Sequence, residues 1–352
     1  MAVSSMSVSN RLAFLDELDS IAGIGDLDAM LTSTSAISPV SAAVPYNNNP
    51  PAMAVAPAAP APHAVVKDAA VCKMPGVVEV FGKLGGGCSS EVYQCTFEGI
   101  EGQVAVKVLH MDMAQAMRRE VQVLSTLRHP NLVQLHAVIE GSPLGLVLEL
   151  CIGGNLCDFL HRPVQREALM HLGMGARIRA ALDVVRAVEY LHAKDFLHRD
   201  IKPGNCFLLV HPLVDGAATD FPPLKLGDLG FAREAVAQPG ETFTRGMGTI
   251  RYMAPEVLMS GVYGTPADIF SCGILLNELQ TGEVPYSGPR LNDAVLSAAI
   301  CTQHHRPSFS HLANSSQPAA AEVMALATAC WGAVPDRRPS ASRLVARLCE
   351  IA

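Results

Sequence analysis

Two carboxylates and an amide stand where apolar runs break into turns. FLHRDIKPGNCFLL, Phe196 to Leu209, exposes Asp200 with Asn205 beyond it, and LKLGDLGFARE, Leu224 to Glu234, exposes Asp228. Each stretch begins or ends in a short apolar strand, which puts the polar groups at strand ends. Oxygen donors of this kind suit a hard cation, and Mg²⁺ takes such a set when it also keeps phosphate oxygens. The pattern predicts a metal site built for a nucleotide.

Two further features belong with that chemistry. QVAVKVL places Lys107 among apolar neighbours in a strand, and an ammonium buried without a partner costs on the order of several kcal/mol. The next segment offers one. Met113, Met117, Val121 and Leu124 make the apolar stripe of a helix near Met113 to Leu127, with Glu120 on its flank. The same acid reads equally well as a solvated neighbour of Arg119. LGGGCSSEVYQC, Leu84 to Cys95, resembles a glycine-rich turn that closes over phosphates, with Ser90 where a third glycine is expected. Alone it is a weak signal, because glycine turns also arise for structural reasons.

The elements that must hold these groups change character along the chain. From Gly76 come short strands with glycine-bearing turns, VVEVFGKL, EVYQCTF and QVAVKVL, then the one helix, then LVQLHAVI and GLVLEL; after Gly153 the pattern is mainly helical. Strands first and helices second predict an α+β, two-lobed molecule with a cleft between the lobes. The expected divisions are a low-complexity tail over 1–75, a small β-rich lobe over 76–150 and a larger helical lobe over 151–352.

The ordered set of motifs resembles the eukaryotic-type protein kinases from about residue 78 to the end. It comprises Gly85 and Gly87, Val104-Ala105-Val106-Lys107, Glu120, His198-Arg199-Asp200-Ile201-Lys202-Pro203 with Asn205, Asp228-Leu229-Gly230, and Ala254-Pro255-Glu256. The resemblance implies ATP and Mg²⁺ as cofactors and phosphoryl transfer to protein hydroxyls. It makes Asp200 the proton acceptor, Asn205 and Asp228 the metal ligands, and Lys107, held by Glu120, the group that grounds the phosphates. Lys202 would add positive charge near the migrating phosphoryl, and Thr249 would stand close to the base; both features resemble serine/threonine kinases.

For the nucleotide, the resemblance implies a pocket of Leu84, Gly85, Gly86, Gly87, Val92, Ala105, Leu148, Glu149, Cys151 and Phe207. Leu148 would border its back, and Glu149 to Cys151 would supply the backbone hinge. CWGAVPDRRPSASRLVARL, Cys330 to Leu348, resembles the closing motif of the tyrosine-kinase-like group, in which Arg338 pairs with Glu256. In TPADIFSCGILLNEL, Thr265 reads as a helix cap with Pro266 in the first turn and Asp268 at capping-box spacing. The family likeness gives Asp268 a second job, anchoring the catalytic-loop backbone. Two residues depart from the family pattern: Ser90, and Leu229 where phenylalanine is commoner. Leucine keeps the apolar volume, and the loop retains Gly85 and Gly87, so a working kinase is expected. The alternative is a pseudokinase scaffold, supported by Ser90 alone.

Composition narrows the partners. A net charge of -7 argues against a general nucleic-acid binder, and no uninterrupted apolar run reaches membrane-spanning length. The 10 cysteines form no CxxC pair, which points to a reducing compartment; the expected location is the cytoplasm or also the nucleus, with organelle targeting left open. The adjacent His304 and His305 lack companions at ligand spacing. Thr32 to about Val66 is rich in Ser, Ala, Asn and Pro and behaves as a linker. Ahead of it, SNRLAFLDELDSI fits one short helix that could dock a partner. Arg199 before the catalytic aspartate implies an activation segment ordered by a phosphate, with Thr242 and Thr244 as candidates.

Overall fold

The computed structural model describes residues 70–86, 90–109, 121, 124–141, 143–162, 172–211, 220–229, 233–234, 249–260, 263–287, 292–309, 312 and 318–352. The tail helix, Gly87, Cys88, Glu120, Gly230, Thr242 and Thr244 lie outside the described residues. So does most of the helix expected near Met113 to Leu127; its described residues Val121 and 124–126 are helical.

The strands β1 (Val77–Gly86), β2 (Ser90–Phe97), β3 (Gln103–Leu109), β4 (Leu135–Ile139) and β5 (Gly145–Glu149) form an antiparallel sheet in the order β1-β2-β3-β5-β4. Alternation along β3 sorts its side chains between two faces. Val104, Val106 and Val108 enter a core with Val80, Cys95, Ile139 and Val147. Ala105 and Lys107 therefore face the other way, toward the larger lobe. The core also takes in Val71 and Met74, from a short 3₁₀ turn at Ala70–Lys73 and the residue after it. Met74 reaches so far that a Cβ on Gly145 would stand 2.6 Å from its terminal methyl. The expected boundary at residue 75 thus falls inside packed structure, because Val71 and Met74 carry apolar side chains that the sheet leaves room for.

The larger lobe is built from α1 (Leu156–His161), α2 (Met174–Ala193), α3 (Pro255–Ser260), α4 (Thr265–Thr281), α5 (Asp293–Thr302), α6 (Pro318–Cys330) and α7 (Ala341–Ile351). Helix α4 is buried on every side from Ala267 to Thr281, the signature of a helix at the centre of a core. Helix α7 is one-sided, with Ala341, Leu344 and Leu348 buried, and packs on α2. Contrary to the sequence expectation, Thr265 does not cap α4. Gly264 takes the cap position with extended backbone, and Thr265 and Pro266 form the first turn. Short strands β6 (Phe196–Leu197), β7 (Cys206–Leu208), β8 (Leu224–Leu226) and β9 (Arg233–Glu234) pair β6 with β9 and β7 with β8. These pairings bring the Asp200 and Asp228 turns side by side. No helix among the described residues is long and apolar enough to cross a membrane.

Candidate active site

Lys107 and Asp228 meet across the lobes. The β3 register sets Lys107 opposite Val92 on β2 and Leu146 on β5, and its ammonium lies 3.0 Å from Asp228 Oδ1. Asp228 follows β8 and has a left-handed backbone, φ 58°, a conformation that non-glycine residues adopt at a cost. Burial would raise the Asp228 carboxyl, but the charge and hydrogen bond of Lys107, with His198 and Lys202 behind it, hold it below the ordinary carboxylate value. It is an anion there.

Asp200 sits on a loop fixed from below. His198 is fully buried, its Nε2 3.1 Å from the Gly227 carbonyl and its Nδ1 accepting the Asp200 amide. That pattern places the ring proton on Nε2. Asp268, at the start of α4, accepts the His198 and Arg199 amides at 2.9 Å each and a third bond from His192 at 2.9 Å. Of the two roles expected for Asp268, the structure shows the loop anchor. Arg199 bends through φ 71°, with its carbonyl receiving the Tyr263 hydroxyl at 2.7 Å.

Above this anchor, Asp200 Oδ2 takes Lys202 Nζ at 2.6 Å and Asn205 Nδ2 at 2.8 Å. Asn205 also donates to the Asp200 carbonyl at 2.8 Å and accepts from the Gly227 amide through its own. Its side-chain oxygen is thus the end that Asp200 does not engage. Asp200 Oδ1 is buried and has no hydrogen-bond partner among the described residues. A buried carboxylate oxygen left in that state is costly unless something else meets it.

The residues expected around a nucleotide lie on or beside β1, β2, β3, β5 and β7. Leu84 is exposed near the end of β1, with Gly85 and Gly86 after it, and Gly85 pairs with Val92. Ala105 pairs with Leu148 across β3 and β5. Glu149 ends β5, Cys151 is half-buried just beyond, and Phe207 lies on β7. The Phe207 ring packs against Gly227, where a Cβ would stand 2.9 Å from both Phe207 and Val133; only glycine lets the Asp228 turn approach so closely. Thr249 opens a 3₁₀ turn, Thr249–Tyr252, and its side chain lies outside the described residues.

Three arrangements carry more than the sequence reading assigned. Arg338 grips Glu256 with both terminal nitrogens, at 2.6 and 2.9 Å, as the closing motif implied, and it also donates to the Pro266 and Gly332 carbonyls. Glu278, 1% exposed near the end of α4, receives Tyr252 at 2.7 Å and meets His161 at 2.7 Å. Lys225 on β8 is buried against Glu149. Neither Glu278 nor Lys225 belongs to a motif. His305 packs its ring 5.3 Å from Tyr286. Among the described residues no group of three or more His, Cys, Asp and Glu side chains is placed to hold a metal.

Comparison with known proteins agrees with this geometry. The protein kinase domain family matches residues 78–348. A probable serine/threonine-protein kinase of Dictyostelium discoideum is 31% identical over 275 residues, 75% of this chain and 19% of the relative. Two Arabidopsis thaliana proteins are similar at comparable levels. Serine/threonine/tyrosine-protein kinase HT1 is 31% identical over 282 residues, 76% of this chain and 64% of its own length. Serine/threonine-protein kinase VIK is 32% identical over 280 residues, 76% of this chain and 58% of its own length. The chain thus spans between about a fifth and just under two thirds of these relatives. A family match over most of the chain places it in the protein kinase family.

Proposed function

We propose that the chain is an ATP-dependent protein serine/threonine kinase. The observation that carries this is Asp200 Oδ1, which no described residue meets, buried beside an amine and an amide that hold the other oxygen of the same carboxylate. An acceptor fixed on one oxygen and open on the other is what removal of a hydroxyl proton requires.

The residues present fit the nucleotide and its ion. Asp228 and the side-chain oxygen of Asn205 make an all-oxygen donor pair, which suits Mg²⁺ better than a softer metal. Mg²⁺ bound there would neutralise charge on the phosphates. Lys107, already beside the Asp228 anion, would meet phosphate oxygens from the small-lobe side. Asp200 would orient the attacking alcohol and take its proton, and Lys202 would stabilise the charge that builds as that proton leaves. Placement and charge do most of the work in this chemistry. Preference for serine and threonine rests on Lys202 and on similarity to serine/threonine-protein kinases; one of these relatives, HT1, is a serine/threonine/tyrosine-protein kinase. The closing Arg338–Glu256 pair supports the tyrosine-kinase-like group. A partner docked on the tail helix and a cytoplasmic location belong to the same reading.

The test is incorporation of label from γ-labelled ATP into a generic basic protein, comparing the parent with Asp200→Asn. Loss of a positioned base is expected to lower the rate about a hundredfold or more. Equally low incorporation by both would instead leave the scaffold.

A further inference from the structure

Lys225 is a lysine in the wrong place for an ordinary strand residue. It lies three residues ahead of Asp228, is 8% exposed, and points its ammonium at the Pro130 carbonyl (2.8 Å) and at Glu149 Oε2 (3.0 Å). A buried amine without such partners is strongly unfavourable, so this contact is specified by the fold around it. Glu149 is the residue whose backbone begins the expected hinge. Its carboxylate also accepts the Gln134 amide at 3.2 Å, while its own amide donates to the Gln134 carbonyl at 2.8 Å.

The segment between is fastened to β8 as well. Asn131 donates to the Leu224 carbonyl at 3.0 Å and accepts the Leu226 amide at 2.8 Å, and the Val133 amide donates to the Leu226 carbonyl at 3.0 Å. Three segments meet at one ammonium: the hinge, the run leading into β4, and the strand that leads to Asp228. Among the described residues, only the Lys225–Glu149 contact joins the hinge side chain directly to that last strand.

We infer that Lys225 is a positioning residue for the nucleotide, holding the hinge at a fixed distance from Asp228 through the Glu149 carboxylate. The backbone that would receive the adenine edge and the carboxylate that would meet the phosphate end are thereby set relative to each other. A bound nucleotide would span both, whereas a peptide hydroxyl would be met at Asp200 and not at this contact. This rests on the nucleotide-binding reading above and adds to it the residue that sets the span.

The experiment compares the parent with Lys225→Met, Lys225→Arg, Glu149→Gln and the Lys225→Met/Glu149→Gln pair. ATP binding is measured by calorimetry, KM is measured for ATP and for peptide, and thermal melting checks folding. Expected is a loss of ATP affinity of about tenfold in each neutralised single variant, with peptide KM unchanged, partial rescue in Lys225→Arg, and a double variant no weaker than the singles. ATP affinity within twofold of the parent in folded single variants overturns the inference, as do effects that simply add or that fall equally on both KM values. If Lys225→Met does not fold, the less deeply buried Glu149→Gln decides by the same criteria. Should the parent bind ATP and transfer nothing, calorimetry still reads the inference, and only the kinase reading fails.

Discussion

The two ends of helix α4 carry two buried acids that behave in opposite ways. Asp268 and Glu278 are each about 1% exposed or less, on one helix, and burial pushes both carboxyls up. Asp268 ends below its ordinary value because the hydrogen bond and electrostatic pull of His192, with His198 and the Arg199 amide behind it, exceed the burial effect. Glu278 ends above it, because burial outweighs His161, Tyr252 and Arg251. Exposure alone therefore does not set the protonation of a core acid; the number and kind of donors does. One acid is a fixed anion that shapes the loop under Asp200. The other is a weakly held group beneath the turn Thr249–Tyr252.

The strongest test of that contrast is Asp268→Asn. An amide cannot accept all three bonds, so the loop should relax, with a loss of rate of about a hundredfold or more and of about 3 kcal/mol in denaturant unfolding. An unchanged rate would break the comparison. His192→Ala removes one donor of the three and should cost less, about 1–3 kcal/mol, while drawing the Asp268 carboxyl back up toward its usual range. Glu278→Gln should be milder still, within about 1 kcal/mol of the parent, because a neutral amide avoids the burial cost and keeps a bond to Tyr252.

The smallest effect is a pH slope. Asp268, depressed in the fold, contributes stability above the unfolded carboxylate value of about 4, and this is lost as pH falls through its lower folded value. Glu278, raised in the fold, costs stability as pH climbs from the unfolded glutamate value of about 4.3 through its folded one. Glu278→Gln should accordingly gain on the parent with rising pH across that window, and Asp268→Asn should close its deficit with falling pH. Melting temperatures of the three proteins measured from acid to neutral pH would show slopes of opposite sign.

What could be read beforehand followed from chemistry that needs particular side chains at particular spacing. Asp200, Asn205, Asp228 and Lys107 stood out because hard-cation donors and a lysine in an apolar strand are unusual wherever they occur. Lys225 did not, because a single lysine in LKL reads as the outward residue of an alternating strand, and its partner Glu149 is far away in the chain. Glu278 was hidden in the same way, within a helix whose neighbours on every side come from other elements. The Thr265 cap was misplaced by one residue, because Thr265 and Pro266 enter the first turn and Gly264 stands at the cap.

Val71 and Met74 lie ahead of residue 78, where the kinase family match begins, yet they plug the outer side of the small lobe over Cys95 and Gly145. A protein trimmed to that border would open a greasy socket among its valines. Clumping of such a trimmed form would then be a matter of a missing stopper, separate from any fault in its chemistry.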